Sequence, residues 1–179
     1  MTEYTDSLAL AKRMSNDILS EIGNSISLSV PIPIRRVAEM YVGDVEITSI
    51  PFRRKLEGIS AFTRKDMERG WLIVLDASEP WRRRRFSLAH ELGHIVLFPE
   101  RHDPVFHNSK RRDWKEKMCN RFAGDILMPD DLVRAYYWLH HMPFVESVAE
   151  YFDVSPSVAG IQLEHLRLPF KKRFNYSYF

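Results

Sequence analysis

The stretch FSLAHELGHIVLFPE, residues 86–100, constrains the fold most strongly, because its two histidines can act together only on a helix. On a helix, His90 and His94 lie one turn apart on the same face, so both imidazoles can reach one metal ion. Apolar residues around them form a stripe that can be buried, and Pro99 predicts the end of the helix. Glu91 directly follows His90 and can stay out of the ligand set, where it can act as general base on a water at the metal.

The rest of the sequence predicts an α+β fold. VEITSIPF (45–52) alternates like a strand, and GISAFTRK (58–65) and GWLIVLD (70–76), separated by a polar turn, have the pattern of paired strands. Apolar residues at helical spacing predict helices over residues 6–22, 35–41, 86–97, 114–127, 129–139, 144–152 and 156–166. We therefore expect a small antiparallel or mixed sheet packed on a helical half that carries a zincin-like H-E-x-x-H helix.

Composition is consistent with one globular domain in a reducing compartment. The chain has 179 residues, 45% of them hydrophobic, and a single cysteine, Cys119, which cannot form an internal disulfide. No run approaches the roughly 20 apolar residues of a membrane span, and the first residues do not have the pattern of a signal peptide, so we expect a cytoplasmic protein. Within a single domain (1–179), we expect an N-terminal helix (1–30), a core (32–168) and a C-terminal tail (169–179).

A catalytic zinc site usually has three protein ligands and one position open to water, so a third ligand is needed. The longer signature H-E-x-x-H-x-x-G-x-x-H fails, since Leu97 and Glu100 stand at its glycine and third histidine. His102 and His107 lie in a polar stretch typical of a solvent-exposed loop. Glu116 opens a predicted helix whose apolar face can pack it against the first motif, so its carboxylate can point back at the ion.

Other reactive side chains favour structural interpretations. Cys119 has the apolar neighbours Met118 and Phe122, and a buried free cysteine normally behaves as a small hydrophobe. His140 and His141 are placed to cap a helix end, and His165 lies on an apparently amphipathic helix. Tyr136 and Tyr137 are possible oxyanion donors, but no spacing rule selects either.

Two features raise the question of nucleic acid. The run WRRRRF (81–86) and the tail (169–179) mix cations with aromatics, but the formal net charge is only +2, which favours a solvated loop and a charged terminus. Residues 145–168 have a helix-turn-helix pattern. The early positions of its second helix lack the Arg, Asn or Gln that base readout favours: Pro156, Ser157, Ala159 and Gly160. We expect a packing or partner-binding surface there, and no direct nucleic-acid binding.

The two motifs together resemble the ImmA/IrrE family of metallopeptidases. FSLAHELGH is followed by E-x-x-C-N-R-F-A-x-x-I-L-M-P, similar to the family's E-x-x-A-N-x-F-A-x-x-L-L-M-P, and the similarity spans roughly residues 32–168. The resemblance implies a Zn²⁺ site with His90, His94 and Glu116 as ligands and Glu91 as general base. It also implies a substrate class, a helix-turn-helix repressor whose cleavage releases genes of a mobile element or stress response. The departures are Cys119 for alanine and Gln162 for a common arginine.

Several alternatives remain open on the sequence alone. The H-E-x-x-H pattern can arise by chance in a structural helix. A non-catalytic regulatory or toxin-type protein that binds a repressor or nucleic acid, with a structural or vestigial metal, is the second interpretation. Mn or Fe could occupy the same ligand set. The sequence does not determine the substrate, the cleavage site, the activating signal or the oligomeric state.

Overall fold

The computed structural model describes residues 2–24, 29–52, 58–66, 68–99 and 114–172. These residues form ten elements: α1 (Thr2–Gly23), α2 (Ile34–Val42), β1 (Val45–Ile50), β2 (Ala61–Asp66), β3 (Gly70–Asp76), α3 (Trp81–Leu97), α4 (Trp114–Leu127), α5 (Asp130–His140), α6 (Val145–Phe152) and α7 (Pro156–His165). The predicted α+β fold, with a small sheet before a helical half, is confirmed.

The sheet is mixed, with β3 at its centre. β1 pairs with β3 in parallel, with Ile47 opposite Ile73, and β2 pairs with β3 antiparallel, with Thr63 opposite Ile73. The inner face of β3 is apolar, and Ile73 and Leu75 are buried in the core. Because β3 is paired on both sides, its backbone is fixed and forms a rigid support for α3.

The start of β3 requires a glycine. Gly70 has a φ of +80°, which L side chains rarely adopt, and a Cβ at this position would lie 2.3 Å from the carbonyl oxygen of Asp44. The same carbonyl accepts a hydrogen bond of 2.8 Å from the Trp71 amide. Gly70 therefore lets the residues before β1 come close enough to fix the parallel register.

Helix α3 lies at the centre of the molecule. It packs against β2 and β3 on one side and along α4 on another, and α1 packs along α4. The core is formed by large apolar side chains that are fully buried: Ile18, Ile73, Leu92, Phe122, Ile126 and Leu163. Burial on several sides explains why nine consecutive residues of α3, 87–95, are buried, together with Arg85.

The basic run WRRRRF forms the first turns of α3, and the expectation of a solvated loop was wrong. Arg85 is buried, and its guanidinium donates to the carbonyl of Ile32 at 3.0 Å and to the carbonyl of Asp153 at 3.1 Å. The Asp153 carboxylate accepts from Trp81 at 2.7 Å and from Arg82 at 3.2 Å, and lies 3.3 Å from Arg85. The run therefore binds the turn between α6 and α7 to the start of α3.

Replacing Arg85 with methionine should lower the free energy of unfolding by about 2–3 kcal/mol, because two carbonyls and one carboxylate lose a charged donor. This loss of stability is smaller than the loss from breaking a fully buried ion pair, because the Asp153 side chain keeps 24% exposure. Urea denaturation measures the change. The exposed neighbour Arg83, replaced in the same way, should change stability by no more than about 0.5 kcal/mol. Equal effects of the two substitutions would contradict this assignment.

The C-terminal helix pair packs on the rest of the domain. Asp153 ends α6 in the left-handed conformation, and the Ser155 hydroxyl accepts from the Val158 amide at the start of α7. Gln162 is buried, and its amide donates to Asp125 of α4 at 2.9 Å and to the Met128 carbonyl at 3.1 Å. Gln162, one of the departures from the motif that the sequence resembles, thus joins α7 to α4.

None of the helices described here has the length and apolar character needed to cross a membrane.

Candidate metal centre

Two packed helices supply the candidate ligands. His90 and His94 lie one turn apart on α3, and Glu116 lies in the first turn of α4. The helices approach closely at Gly93, where an added Cβ would lie 3.1 Å from the Phe122 ring and 3.3 Å from the Cα of Cys119. A small residue at position 93 therefore allows α4 to come near enough for the Glu116 carboxylate to reach both imidazoles.

The ligand atoms converge on one point. The Nε2 atoms of His90 and His94 are 3.1 Å apart, and the Glu116 carboxylate oxygens lie 3.2 Å from His90 Nε2 and 3.5 Å from His94 Nε2. A tetrahedral zinc site with bonds of about 2.0–2.1 Å has edges of about 3.3–3.4 Å between ligand atoms. The observed separations fit these edges, so the three side chains could hold a metal ion with one position open.

Asn120 orients the first imidazole. Its side-chain Oδ1 lies 2.9 Å from His90 Nδ1, on the ring edge opposite the cluster. When Nδ1 carries the proton and donates to this oxygen, Nε2 keeps its lone pair for a metal. Asn120 is one turn after Glu116 on α4, so the same helix supplies a candidate ligand and the group that fixes the tautomer of another.

Replacing Asn120 with alanine should weaken zinc binding by about 10–100-fold, the usual cost of losing a partner that orients a metal ligand. Competition with a chromophoric chelator measures the affinity. Asn120→Asp keeps an acceptor oxygen and should bind zinc more tightly than Asn120→Ala. Wild-type affinity in the alanine variant would show that the His90–Asn120 contact has no orienting role.

Glu91 lies beside the cluster. Its side chain is 1% exposed, yet it lines a cavity of about 350 Å³ together with His90, Glu116, Asn120 and Phe86. His90 and His94 are also nearly buried, whereas the Glu116 side chain keeps 26% exposure on the cavity side of the cluster. A substrate in the cavity would therefore meet the candidate ligands and the Glu91 carboxylate together.

The remaining candidates lie elsewhere or outside the described residues. His102 and His107 fall in the part of the chain that is not described. Cys119 is fully buried in the α3–α4 contact, and its thiol is not among the converging atoms, as expected for a small hydrophobe. Tyr136 donates from its hydroxyl to the Ser147 carbonyl at 3.4 Å and does not line the cavity. His165 lies on the exposed side of α7.

The ligand arrangement defines a class of site. Two histidines from one helix and a carboxylate from the next are the same donor types as the two-histidine, one-carboxylate set that some hydrolytic zinc enzymes use. A peptidase family model described as the IrrE N-terminal-like domain matches residues 44–164. The match covers more than half of the chain, and the chain therefore belongs to this family. The resemblance predicted from the two motifs is confirmed, and a metallopeptidase-type function is supported at the level of the family.

Two known proteins are similar over part of their length. The radiation response metalloprotease IrrE of Deinococcus radiodurans is 32% identical over 74 residues, which cover 38% of this chain and 22% of IrrE. The solved structure of a Mycobacterium tuberculosis transcriptional regulator aligns with a TM-score of 0.54 at 15% identity, over 89% of this chain and 47% of that one. The second likeness concerns the fold alone. The chain spans about a fifth of the curated relative and about half of the solved one.

Proposed function

We propose that this chain is a zinc-dependent endopeptidase of a single metallopeptidase domain. His90, His94 and Glu116 would hold the ion, and Glu91 would be the catalytic base. The observation that carries the proposal is the convergence of the three ligand atoms, all within 4.8 Å of one another, beside a buried carboxylate that lines an open cavity. A purely structural histidine pair would not require a glutamate on the adjacent helix to point at the same spot.

The chemistry then divides between the ion and the protein. When bound, zinc supplies Lewis acidity that polarises a peptide carbonyl and makes water at the site more acidic. Glu91 accepts a proton from the attacking water and delivers it to the leaving amine, which restores the carboxylate. Asn120 holds the His90 ring in the orientation that exposes Nε2. Near-complete burial of Glu91 keeps its carboxylate in one position for both proton transfers.

We further propose that the substrate is a cytoplasmic repressor of the helix-turn-helix type, cleaved to relieve repression of mobile-element or stress genes. Family membership supports a protein substrate, and the similarity to a metalloprotease of radiation response supports a regulatory role. The cavity beside Glu91 measures about 350 Å³, which is room for a few residues of an extended chain but not for a folded domain. The scissile bond would therefore lie in an exposed loop or linker of the repressor.

Incubation of the purified, zinc-loaded chain with candidate helix-turn-helix repressors, beginning with any that is encoded near its gene, tests this function. We expect two repressor fragments, separable by mass spectrometry, and no cleavage after removal of zinc by a chelator. Cleavage should return when zinc is restored. An intact repressor that binds the zinc-loaded chain tightly would contradict the peptidase proposal and favour a non-catalytic regulator.

A further inference from the structure

A second cavity, of about 470 Å³, lies where side chains of α1, α3, α4 and α7 meet. It is next to the cavity of about 350 Å³ at the candidate metal centre, which we call the metal cleft. We call the second cavity the lateral groove; its lining includes Leu8, Arg83, Phe86, Lys117, Arg121 and Ile161. Arg83, Phe86 and Asn120 line both the lateral groove and the metal cleft. A chain bound across the metal cleft could therefore continue into the lateral groove.

The lateral groove has an apolar side. Leu8 of α1, Phe86 of α3 and Val158 of α7 are half-buried in its wall, and Ile161 of α7 is 51% exposed. Four apolar side chains from three helices form a surface on which a large hydrophobic side chain can lose contact with water. The apolar wall makes the lateral groove better suited to a polypeptide than to a sugar-phosphate backbone.

The lateral groove also carries positive charge. Its lining contains four cations and, among the described residues, no carboxylate: Arg82, Arg83, Lys117 and Arg121. Arg82 pairs with Asp153 at 3.2 Å and Arg121 pairs with Asp125 at 2.6 Å, and neither carboxylate lines the lateral groove.

Two of the four cations face solvent. Arg83 and Lys117 are exposed, and Arg83 lies 3.2 Å from the hydroxyl of Ser60, which is uncharged and donates to Glu79 outside the lateral groove. Partial desolvation in the lateral groove, together with the nearby Arg121 charge, lowers the pKa of the His165 imidazole, so its neutral form predominates at pH 7. With four cations and no carboxylate among its described lining residues, the lateral groove attracts anionic side chains.

We propose that the lateral groove docks the substrate polypeptide on one side of the scissile bond and selects segments that combine Asp or Glu with large apolar residues. This inference rests on the proposed peptidase function. The acidic side chains of such a segment would meet the two exposed cations, and its apolar side chains would meet the apolar wall. A nucleic acid would instead present one phosphate per nucleotide to a surface that is half apolar.

Binding of three fluorescein-labelled decapeptides to the Glu91→Gln protein, loaded with zinc, tests the proposal by anisotropy. Leucine alternates with aspartate, asparagine or lysine in the three peptides. The acidic peptide should bind at least about tenfold more tightly than the basic one, and the difference should shrink as ionic strength rises. Equal affinity for all three peptides would overturn the proposal.

Charge variants locate the binding. Arg83→Glu with Lys117→Glu should reverse the order of the three peptides, and Arg83→Gln with Lys117→Gln should remove the preference. Arg69→Glu with Arg134→Glu alters the net charge equally at exposed positions that do not line the lateral groove, and should preserve the order. Thermal melting shows that each variant is folded. A preference that survives reversal of Arg83 and Lys117 would overturn the proposal.

A labelled single-stranded DNA 12-mer supplies the competing outcome. If it binds more tightly than the acidic peptide and loses binding on reversal of Arg83 and Lys117, the lateral groove is a nucleic-acid site and the proposal is wrong. Binding is measured without hydrolysis, so the two proposals can fail separately. Peptide selection without cleavage by the wild type contradicts only the peptidase function, and cleavage without charge selection contradicts only the docking role.

Discussion

Replacing Glu91 with glutamine should leave about one zinc per chain and lower the rate of repressor cleavage by at least about a hundredfold, because glutamine cannot accept the proton of the attacking water. The side chain has nearly the same shape and stays in a site that is 1% exposed, so the fold and the ligand cluster should be unaffected. Single-turnover cleavage and elemental analysis of the same sample measure both effects together.

Glu150→Gln is the matched control, since it makes the same chemical change on the exposed side of α6. It should cleave the repressor at a rate within about twofold of the wild type. Wild-type cleavage by Glu91→Gln would remove Glu91 from catalysis. Loss of zinc from Glu91→Gln would instead identify Glu91 as a ligand and contradict its assignment as the base.

Replacing Glu116 with alanine should weaken zinc binding by more than about a hundredfold, more than the loss of a group that only supports a ligand. The carboxylate contributes one of three converging donors, and its two oxygens lie 3.2 and 3.5 Å from the two imidazole Nε2 atoms. Without it, two histidines on one helix are left to hold the ion. Cleavage should fall with the bound zinc and recover only at high zinc concentration.

The two histidines weighed as alternative third ligands provide the control for Glu116. A variant with His102→Ala and His107→Ala should retain zinc at wild-type affinity. If that variant loses zinc and Glu116→Ala keeps it, the third ligand has been assigned to the wrong residue. Circular dichroism of each variant without metal separates loss of a ligand from loss of the fold.

The sequence brings His90, His94 and Glu116 together as the structure does, because most of the geometry of this cluster is local. His90 and His94 lie on the same face of any helix that contains them, and α4, which carries Glu116, has the predicted bounds. Asn120 was not assigned, although its spacing carries a signal, since it lies one turn beyond Glu116 on the same face. Gly93 was not assigned either, because the need for a small residue appears only where α3 and α4 make contact.

Other features depend on contacts between distant parts of the chain. Arg85 is buried because it binds the carbonyls of Ile32 and Asp153. These partners are 53 and 68 residues away, so no local sequence pattern indicates the contact. A run of four arginines therefore predicted solvent exposure. The parallel pairing of β1 with β3 could not be predicted for the same reason. β2 comes between these strands in the sequence, and no local pattern shows that β1 pairs with β3 and not with β2.

The central claim is that His90, His94 and Glu116 bind one metal ion and leave room for a reacting water. X-ray absorption spectroscopy of the zinc-loaded chain tests it most directly. We predict about one zinc per chain, ligated only by nitrogen and oxygen at about 2.0–2.1 Å, with the scattering pattern of two imidazoles that falls to one in His94→Ala. A zinc–sulfur distance of about 2.3 Å, which would implicate Cys119, or a spectrum unchanged in His94→Ala, would contradict the account.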